Sequence, residues 1–394
     1  MKKRNLLLLS VLWLGCMIAG PVSGQESITV GAVMPLTGVF AFAGGDGAMA
    51  MVDAFTMVNE AGGIHGKKIK WVIEDGQYKV DVASEAFRRI MARDNPLVMF
   101  GESTALGKAM AQDINSRYHV LYGSTSFSGE LAQPGINPYT FVAGPTYGDM
   151  FAVLLKYIAK EKPGAKVAFF YSDSEFGTDP IKFGRITCER LRLNWVGDEV
   201  VPLGSTDISA QIAGLKRKDP DFVIFQGFLF EPVPSVIRKC RELGMKCTFM
   251  GTFWGATKLI LDKLGPLAEG YTVVNPYMYW WNDEVPMINK IRALTEKYHP
   301  EVKYRDNFYM QVFMNALIAV ECLKRADKAG RLNGPGLLKA LQSLEDFDSG
   351  GLCAPVSIRN NRFPVARVWR ANVEKKIYEP VSDWIKLDKH SDKF

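Results

Sequence analysis

The sequence contains few of the residue types on which most enzymes depend. Its 394 residues include four histidines and six cysteines, and no C-x-x-C pair, H-E-x-x-H helix or G-x-S-x-G turn occurs. The histidines lie outside the loops that follow the predicted strands, at His65, His119, His299 and His390. These absences argue against a hydrolase or a metalloenzyme. We expect no catalytic residue, no metal and no cofactor.

The sequence also lacks a long hydrophobic run. No stretch reaches the roughly 18 consecutive apolar residues that a membrane-spanning helix needs. Leu6–Ala19 is apolar over about 14 residues, follows the positive charges of Lys2–Arg4 and precedes the small residues Val22–Gly24. This order is typical of a secretory signal peptide. We predict that residues 1–24 are removed and that the mature protein lies outside the cytoplasmic membrane, with a lipid anchor at Cys16 as the second interpretation.

A large excess of charge of one sign is absent as well. The chain has 48 basic and 42 acidic residues, a formal net charge of +6. Without Lys2–Arg4 the count is 45 against 42, which leaves +3. An excess this small and this dispersed is not typical of nucleic-acid binding. We therefore expect no nucleic-acid partner.

Cysteines are too few to form a dense disulfide framework. Five remain after residue 24, an odd number that permits at most two disulfides in an oxidising compartment and does not reveal their pairing. Each is interpreted as a small buried apolar side chain or a disulfide partner rather than a reactive thiol. These cysteines are Cys188, Cys240, Cys247, Cys322 and Cys353.

Short β-rich runs alternate with longer helical runs through most of the chain, in two successive units at 27–141 and 146–269. Because parallel strands need crossover connections, this alternation predicts parallel sheets with helices on both faces. The predicted strands are Ile28–Met34, Lys68–Glu74, Leu97–Phe100, Val120–Tyr122, Val167–Tyr171, Trp195–Val201, Phe222–Phe225, Cys247–Gly251 and Gly270–Asn275. The predicted helices are Gly47–Asn59, Val80–Arg93, Ala105–Arg117, Met150–Glu161, Ile208–Arg217, Pro232–Leu243, Val285–Tyr298 and Asn307–Ala326, before a β-rich tail at 356–384.

Two motifs at the start of the chain are specific. Ile28–Gly38 reads ITVGAVMPLTG and Asn59–Ile69 reads NEAGGIHGKKI. Both closely resemble the start of the branched-chain amino-acid-binding (Leu/Ile/Val-binding) family of type I periplasmic solute-binding proteins, and the resemblance extends over nearly the whole chain after residue 24. It implies an α/β clamshell of two doubly wound parallel-sheet lobes, a small-molecule ligand in the cleft, and the permease subunits of an ABC transporter as partner. It also implies a monomer that reaches the membrane only through the permease or a lipid anchor.

The resemblance further implies that the chain crosses between the lobes three times. Segments with proline and glycine near Gly144–Pro145, Val274–Pro276 and Asp348–Pro355 are the best candidates for these crossings. The expected N-terminal lobe then comprises 25–143 plus 274–348. The expected C-terminal lobe comprises 144–273 plus 349–394.

In the first lobe, polar residues follow the predicted strands at the sheet edge where open parallel sheets bind ligands. Ser103, Thr104, Ser124, Thr125 and Ser126 offer hydroxyl and backbone N–H donors, with a helix start after Thr104. The family's matching loops hold a ligand carboxylate, and the resemblance implies this role for Ser103, Thr104, Ser124 and Ser126. The alternative is that Ser103 and Thr104 only cap the helix and that Ser124–Ser126 form an ordinary turn. Two further candidates are Phe42, after the first strand, and Glu102, after the third. The carboxylate of Glu102 would repel an anionic ligand unless it is protonated or hydrogen-bonded to backbone groups. Alternatively, Glu102 would recognise a hydrogen-bond donor on the ligand.

In the second lobe, the strand-end loops are aromatic. The family holds an α-ammonium group here with an acidic residue, and that position aligns with Phe253 in this sequence. Because a buried ammonium without a counter-charge is costly, an ordinary α-amino acid is disfavoured, and an aromatic or otherwise hydrophobic carboxylic acid is predicted. The alternatives are core packing of these rings, a receptor for a branched-chain or other hydrophobic amino acid or amide, and a ligand-sensing domain of a signalling system. The predicted wall consists of Tyr147, Phe176, Phe228, Phe253, Trp254 and Tyr277.

A dinucleotide-binding enzyme is the remaining alternative. Gly45–Ala50 matches a relaxed G-x-G-x-x-A pattern. That fingerprint needs its first glycine directly after the first strand, whereas Pro35–Gly44 intervenes. We interpret the match as coincidental.

Overall fold

The computed structural model describes residues 27–358 and 360–387. The predicted signal peptide and the lipid anchor at Cys16 lie outside these residues. Among the described residues, no helix is long and apolar enough to span a membrane.

The first half of the chain forms a five-stranded sheet whose paired strands are all parallel, in the order β2-β1-β3-β4-β5. The first strand lies inside the sheet, so the loops after it and after its neighbour leave in opposite directions and open a crevice at the carboxyl edge. The elements are β1 (Ser27–Met34), α1 (Ala41–Glu60), β2 (Lys68–Asp75), α2 (Val80–Asp94), β3 (Val98–Gly101), α3 (Thr104–Ala109), a π-helical turn (Asp113–Tyr118), β4 (Leu121–Ser124) and β5 (Thr140–Val142).

The second half forms an eight-stranded sheet that is mixed. Its strands follow the order β12-β11-β10-β9-β8-β6-β7, with β13 paired to β11. The elements are α4 (Tyr147–Glu161), β6 (Lys166–Ser172), α5 (Glu175–Thr178), α6 (Ile181–Arg190), β7 (Asn194–Val201), α7 (Ser209–Lys218), β8 (Phe222–Gln226), α8 (Val233–Glu242), β9 (Thr248–Gly251), a 3-10 turn (Phe253–Gly255), α9 (Lys258–Leu264), a second 3-10 turn (Gly265–Ala268), β10 (Thr272–Asn275), β11 (Val365–Asn372), β12 (Ile377–Pro380) and β13 (Ile385–Lys386).

The predicted α/β architecture is confirmed, with one difference in the second sheet. β6–β10 pair in parallel, whereas β11 pairs antiparallel to β10, β12 and β13. The tail was recognisable as β-rich, but the direction of a strand is set by tertiary placement. The segments β5, α5, α6 and α9 and a helix after residue 333 were not predicted.

Three helices between β10 and β11 return to the first sheet. α11 (Asn307–Lys328) packs along α1 and under β4, α12 (Gly334–Gln342) lies beside α11, and α10 (Pro286–Tyr298) contacts α1. The chain therefore passes between the two sheets at 143–146, 276–285 and 343–364. We call the first sheet with α1–α3 and α10–α12 the first lobe, and the second sheet with α4–α9 the second lobe. Because the expected boundary at 273/274 falls inside β10, we place that crossing after Asn275.

The dinucleotide-like stretch lies in helix, not in a phosphate-binding loop. Gly45–Ala50 is part of α1, whose first turn comes after the β1 loop. The cysteines of the described chain are all buried and free of disulfides. They are therefore packing residues, which was one of the two interpretations of the sequence.

Candidate ligand-binding site

A cavity lies between the lobes, at the carboxyl ends of the strands of both sheets. Met34 ends β1, Pro35 and Phe40 follow it, and Phe176, Leu229 and Trp254 follow β6, β8 and β9. Its other lining residues are Ala43, Gly44, Gly47, Tyr78, Glu102, Ser103, Thr104, Thr125, Ser126, Tyr147, Phe308, Gln311 and Val312. A crevice at this edge of a doubly wound sheet is where such folds bind ligands.

The polar side of the cavity is built from the loops after β3 and β4. Ser103 caps α3, because its Oγ accepts a hydrogen bond of 3.1 Å from the Leu106 N–H. The hydroxyls of Thr104 and Ser126 lie 2.6 Å apart, and Thr125 Oγ1 donates to the Gly101 carbonyl at 2.7 Å. The helix predicted over Ala105–Arg117 is present as α3 and the π-helical turn, with a break at Met110.

Ser124 supports this seat without lining the cavity. It is fully buried, and its Oγ accepts from the Ser126 N–H at 3.0 Å. From α11, Gln311 Nε2 donates to the Thr125 carbonyl at 3.0 Å and Asn315 Nδ2 donates to the Ser124 carbonyl at 3.4 Å. The loop after β4 is therefore fixed both from within and from α11.

Glu102 is the carboxyl group of the cavity lining. Its side chain is 7% exposed, and neither carboxyl oxygen has a hydrogen-bond partner of normal geometry among the described residues. Burial raises the pKa of Glu102 to about 7; the Tyr78 backbone N–H opposes the rise and the charge of Asp75 adds to it. No lysine, arginine or histidine lines the described cavity.

The second lobe contributes an aromatic wall. Trp254 Nε1 donates a hydrogen bond of 2.8 Å to Tyr147 Oη, and the Tyr147 and Phe176 ring centroids lie 5.2 Å apart. Gln226 fixes two of the loops, because its Nε2 donates to the Phe176 carbonyl at 2.8 Å and its Oε1 accepts from Thr252 Oγ1 at 2.6 Å. The wall is thus held rigidly, and burial raises the pKa of the Tyr147 hydroxyl well above its usual value, which keeps it neutral.

Of the predicted site residues, eight line the cavity and five do not. Phe253 is fully buried behind Trp254, with ring centroids 5.0 Å apart, and Tyr277 Oη donates to the Ala143 carbonyl at a crossing. Phe228 packs with Phe170 in a separate core cluster. Phe42 is 44% exposed outside the cavity, and Ser124 has the supporting role described above. The eight are Glu102, Ser103, Thr104, Thr125, Ser126, Tyr147, Phe176 and Trp254.

The prediction missed several lining residues. Tyr78 follows β2 as Glu102 follows β3, so the strand-end rule itself could have found it. Phe308, Gln311 and Val312 lie on α11 at positions i, i+3 and i+4, which share one helix face. Their spacing is visible in the sequence, but nothing in it places that face against the cleft.

Direct contacts hold the two lobes closed over the cavity. Trp254 stacks on Phe308 of the first lobe, with centroids 5.6 Å apart and an interplanar angle of 25°. Lys108 Nζ lies 2.7 Å from Glu175 Oε2, and Thr257 Oγ1 donates to Asp306 Oδ2 at 2.6 Å. The structure is therefore a closed clamshell in which both lobes contribute to one cavity.

The comparisons with known proteins agree with this architecture. Residues 27–376 match the family model described as periplasmic binding protein. The chain therefore belongs to the periplasmic binding protein family.

Two curated relatives carry related names. A Leu/Ile/Val-binding protein homolog 7 of Brucella suis is 25% identical over 256 residues, and the match spans 62% of this chain and 62% of the relative. The Leu/Ile/Val-binding protein of Escherichia coli is 24% identical over 262 residues, 66% of this chain and 70% of the relative. The match to the Brucella relative thus covers less than two thirds of that protein's length.

Solved structures share the fold over nearly the whole chain. A branched chain amino acid ABC transporter from Thermus thermophilus with bound valine has a TM-score of 0.84 at 23% identity, with 94% of this chain and 99% of that chain covered. A fatty acid ABC transporter substrate-binding protein from Thermomonospora curvata has a TM-score of 0.81 at 20% identity, with 95% and 96% covered. At these identities the likeness establishes the fold alone.

Proposed function

We propose that the protein is the extracytoplasmic solute-binding receptor of an ABC-type importer. It closes its two lobes on one small molecule, presents the closed form to the permease subunits, and performs no covalent chemistry. The family membership and a cavity that both lobes line support this role. Ligand binding that bridges the lobes shifts an open–closed equilibrium, which is the signal a permease can read.

We further propose that the ligand is an aromatic or otherwise hydrophobic carboxylic acid. The observation that carries this proposal is the second-lobe side of the cavity, where Phe176, Leu229 and Trp254 present apolar surface and Tyr147 a neutral hydroxyl. Across from them, the hydroxyls of Ser103, Thr104 and Ser126 suit a carboxylate. A hydrophobic body then packs against rings while its polar end meets donors.

A branched-chain amino acid is the second candidate, favoured by the names of the Leu/Ile/Val-binding relatives. The position of Phe253 weighs against it, since the acid expected there is replaced by a ring that is fully buried. The structural neighbour named for fatty acids is compatible with a hydrophobic acid in this fold.

A thermal-shift screen of the ligand-stripped mature protein tests the proposal. The panel contains aromatic acids, fatty acids, leucine, valine, amides and sugars. A ligand at about 100 times its Kd adds roughly 2.7 kcal/mol to the folded state, which gives a clear increase in Tm. Stabilisation by aromatic or fatty acids supports the proposal, and stabilisation by leucine or valine with no response to those acids contradicts it.

A further inference from the structure

The uncommitted polar atoms of the cavity are of two kinds. Ser103 Oγ accepts from a backbone N–H and keeps its own proton to donate, whereas the Thr104 and Ser126 hydroxyls pair with each other and Ser126 also pairs with Tyr147. On the acceptor side, the two carboxyl oxygens of Glu102 and the amide oxygen of Gln311 are buried and have no hydrogen-bond partner of normal geometry among the described residues, although the Tyr78 backbone N–H lies near the Glu102 carboxyl. A carboxylate ligand satisfies the donors and leaves these acceptors unmatched.

An unmatched buried acceptor costs its desolvation free energy unless the ligand supplies a donor. Glu102 is almost fully buried, and no cationic side chain in the described lining offsets its charge. The titratable groups near its carboxyl are Asp75, Tyr78 and Tyr122. Asp75 is itself committed to Leu36, Thr37 and Gln77.

Glu102 has a closely fitted place in the lobe. A Cβ placed on Gly76 would lie 2.3 Å from one carboxyl oxygen and 2.7 Å from the other, so the carboxyl group rests on the turn after β2 where only glycine leaves room. Glu102 is also adjacent in the chain to Ser103 and Thr104. The acceptor and the donor seat are therefore neighbours on the first lobe.

We infer that the ligand carries a hydrogen-bond donor next to its carboxylate, either a hydroxyl or an ammonium group. Glu102 accepts a hydrogen bond from this donor and so selects ligands that have one, and Gln311 is a second acceptor. This inference rests on the proposed function, because it assumes a carboxylate in the seat.

Three probes of matched size separate the possibilities: phenylpropanoate has no donor, phenyllactate has an α-hydroxyl, and phenylalanine has an α-ammonium group. Calorimetric titration of the full mature chain should give a Kd about ten- to hundred-fold lower for at least one donor-bearing probe than for phenylpropanoate. Glu102→Met, which is similar in size and has no acceptor oxygen, should remove that preference. Glu85→Gln on the exposed face of α2 is the matched control and should keep it.

Two more variants make the result decisive. Glu102→Gln keeps an acceptor without a charge, so it should retain a preference for the hydroxyl and lose a preference for the ammonium group. Gly76→Ala should displace the intact carboxyl and lose either preference, even if Glu102→Met does not fold. Equal affinity of the wild type for all three probes, or an unchanged preference in Glu102→Met, would overturn the inference and leave the carboxylate proposal standing. If none of the three binds while leucine does, both are wrong.

Discussion

The indole ring of Trp254 stacks on the ring of Phe308 across the cleft, with centroids 5.6 Å apart. One residue follows β9 in the second lobe, and the other lies in the first turn of α11 in the first lobe. The indole is held in place by its hydrogen bond to Tyr147 Oη. This contact joins the aromatic wall of the second lobe to the first lobe in the closed form, so a change at Trp254 should affect ligand affinity more than it affects either lobe alone.

Replacing Trp254 with alanine should weaken binding of an aromatic acid by about 2 kcal/mol, roughly thirty-fold in Kd, because a buried aromatic anchor is removed from the ligand and from the opposite lobe. Trp254→Phe should recover part of the loss. Isothermal titration calorimetry gives the Kd values. Trp195→Ala is the control, since Trp195 is on the surface of the second lobe at 38% exposure; an equal loss in both variants would assign the effect to general instability.

The ion pair between Lys108 and Glu175 joins the lobes at the rim of the cleft. Because Glu175 is more than half exposed, the pair should contribute only about 0.2–1 kcal/mol to the closed form. Glu175→Gln should therefore raise the apparent Kd by up to roughly five-fold, and the effect should shrink at high salt. Asp219→Asn breaks a pair inside the second lobe and should leave the Kd unchanged. A Glu175→Gln variant with unaltered affinity at low salt would indicate that this contact does not act in closure.

Asp306 gives the stability a pH dependence with a defined sign. Burial raises its pKa to about 7, although Thr257 and the Asn307 N–H donate to it. A carboxyl whose folded pKa lies above the ordinary value of 3.8 binds its proton more tightly when folded, so its contribution is present at low pH and lost as pH rises from about 4 to about 7. Asp306→Asn should flatten the decrease of Tm over this range, whereas Asp283→Asn on the surface should not. Superimposable Tm profiles of the wild type and Asp306→Asn would refute this assignment.

The five buried cysteines should behave as unreactive thiols. Burial raises the pKa of Cys188, Cys240 and Cys353 to about 12 and that of Cys247 to about 11, far above the pH of any labelling assay. In a protein that lacks residues 1–24, a thiol reagent should label none of the five when it is folded and all five after denaturation without reductant. Fewer than five labels in the denatured protein would demonstrate a disulfide, which reductant would then abolish.

The order of strands and helices was predictable because the spacing of apolar residues and the position of turn-forming residues are local properties of the sequence. The sites at strand ends followed from it, which is why Ser103, Thr104 and Ser126 were found. By contrast, a strand-end rule cannot tell which of two neighbouring side chains faces the cleft. Leu229 lines the cavity and the adjacent Phe228 packs into the core on the other side.

Long-range placement was the part that the sequence left undetermined. The helix predicted over Ala105–Arg117 is interrupted, and in its second part the Asn115 side chain accepts from the Tyr139 N–H at 2.8 Å and donates to the Ala111 carbonyl at 2.8 Å. Ala111 belongs to the helical segment itself, whereas Tyr139 comes from the segment just before β5. In the same way, Gln311 reaches the cavity only because α11 returns to the first lobe from the far end of the chain.

The most direct test of the central claim is a calorimetric titration of the ligand-stripped mature protein with an aromatic acid and, separately, with leucine. The claim predicts one molecule of aromatic acid bound per chain, with a negative heat-capacity change from burial of its apolar body between the lobes, and no comparable heat from leucine. Tight one-to-one binding of leucine with no heat from any aromatic or fatty acid would contradict it, and would assign the cavity to branched-chain amino acids instead.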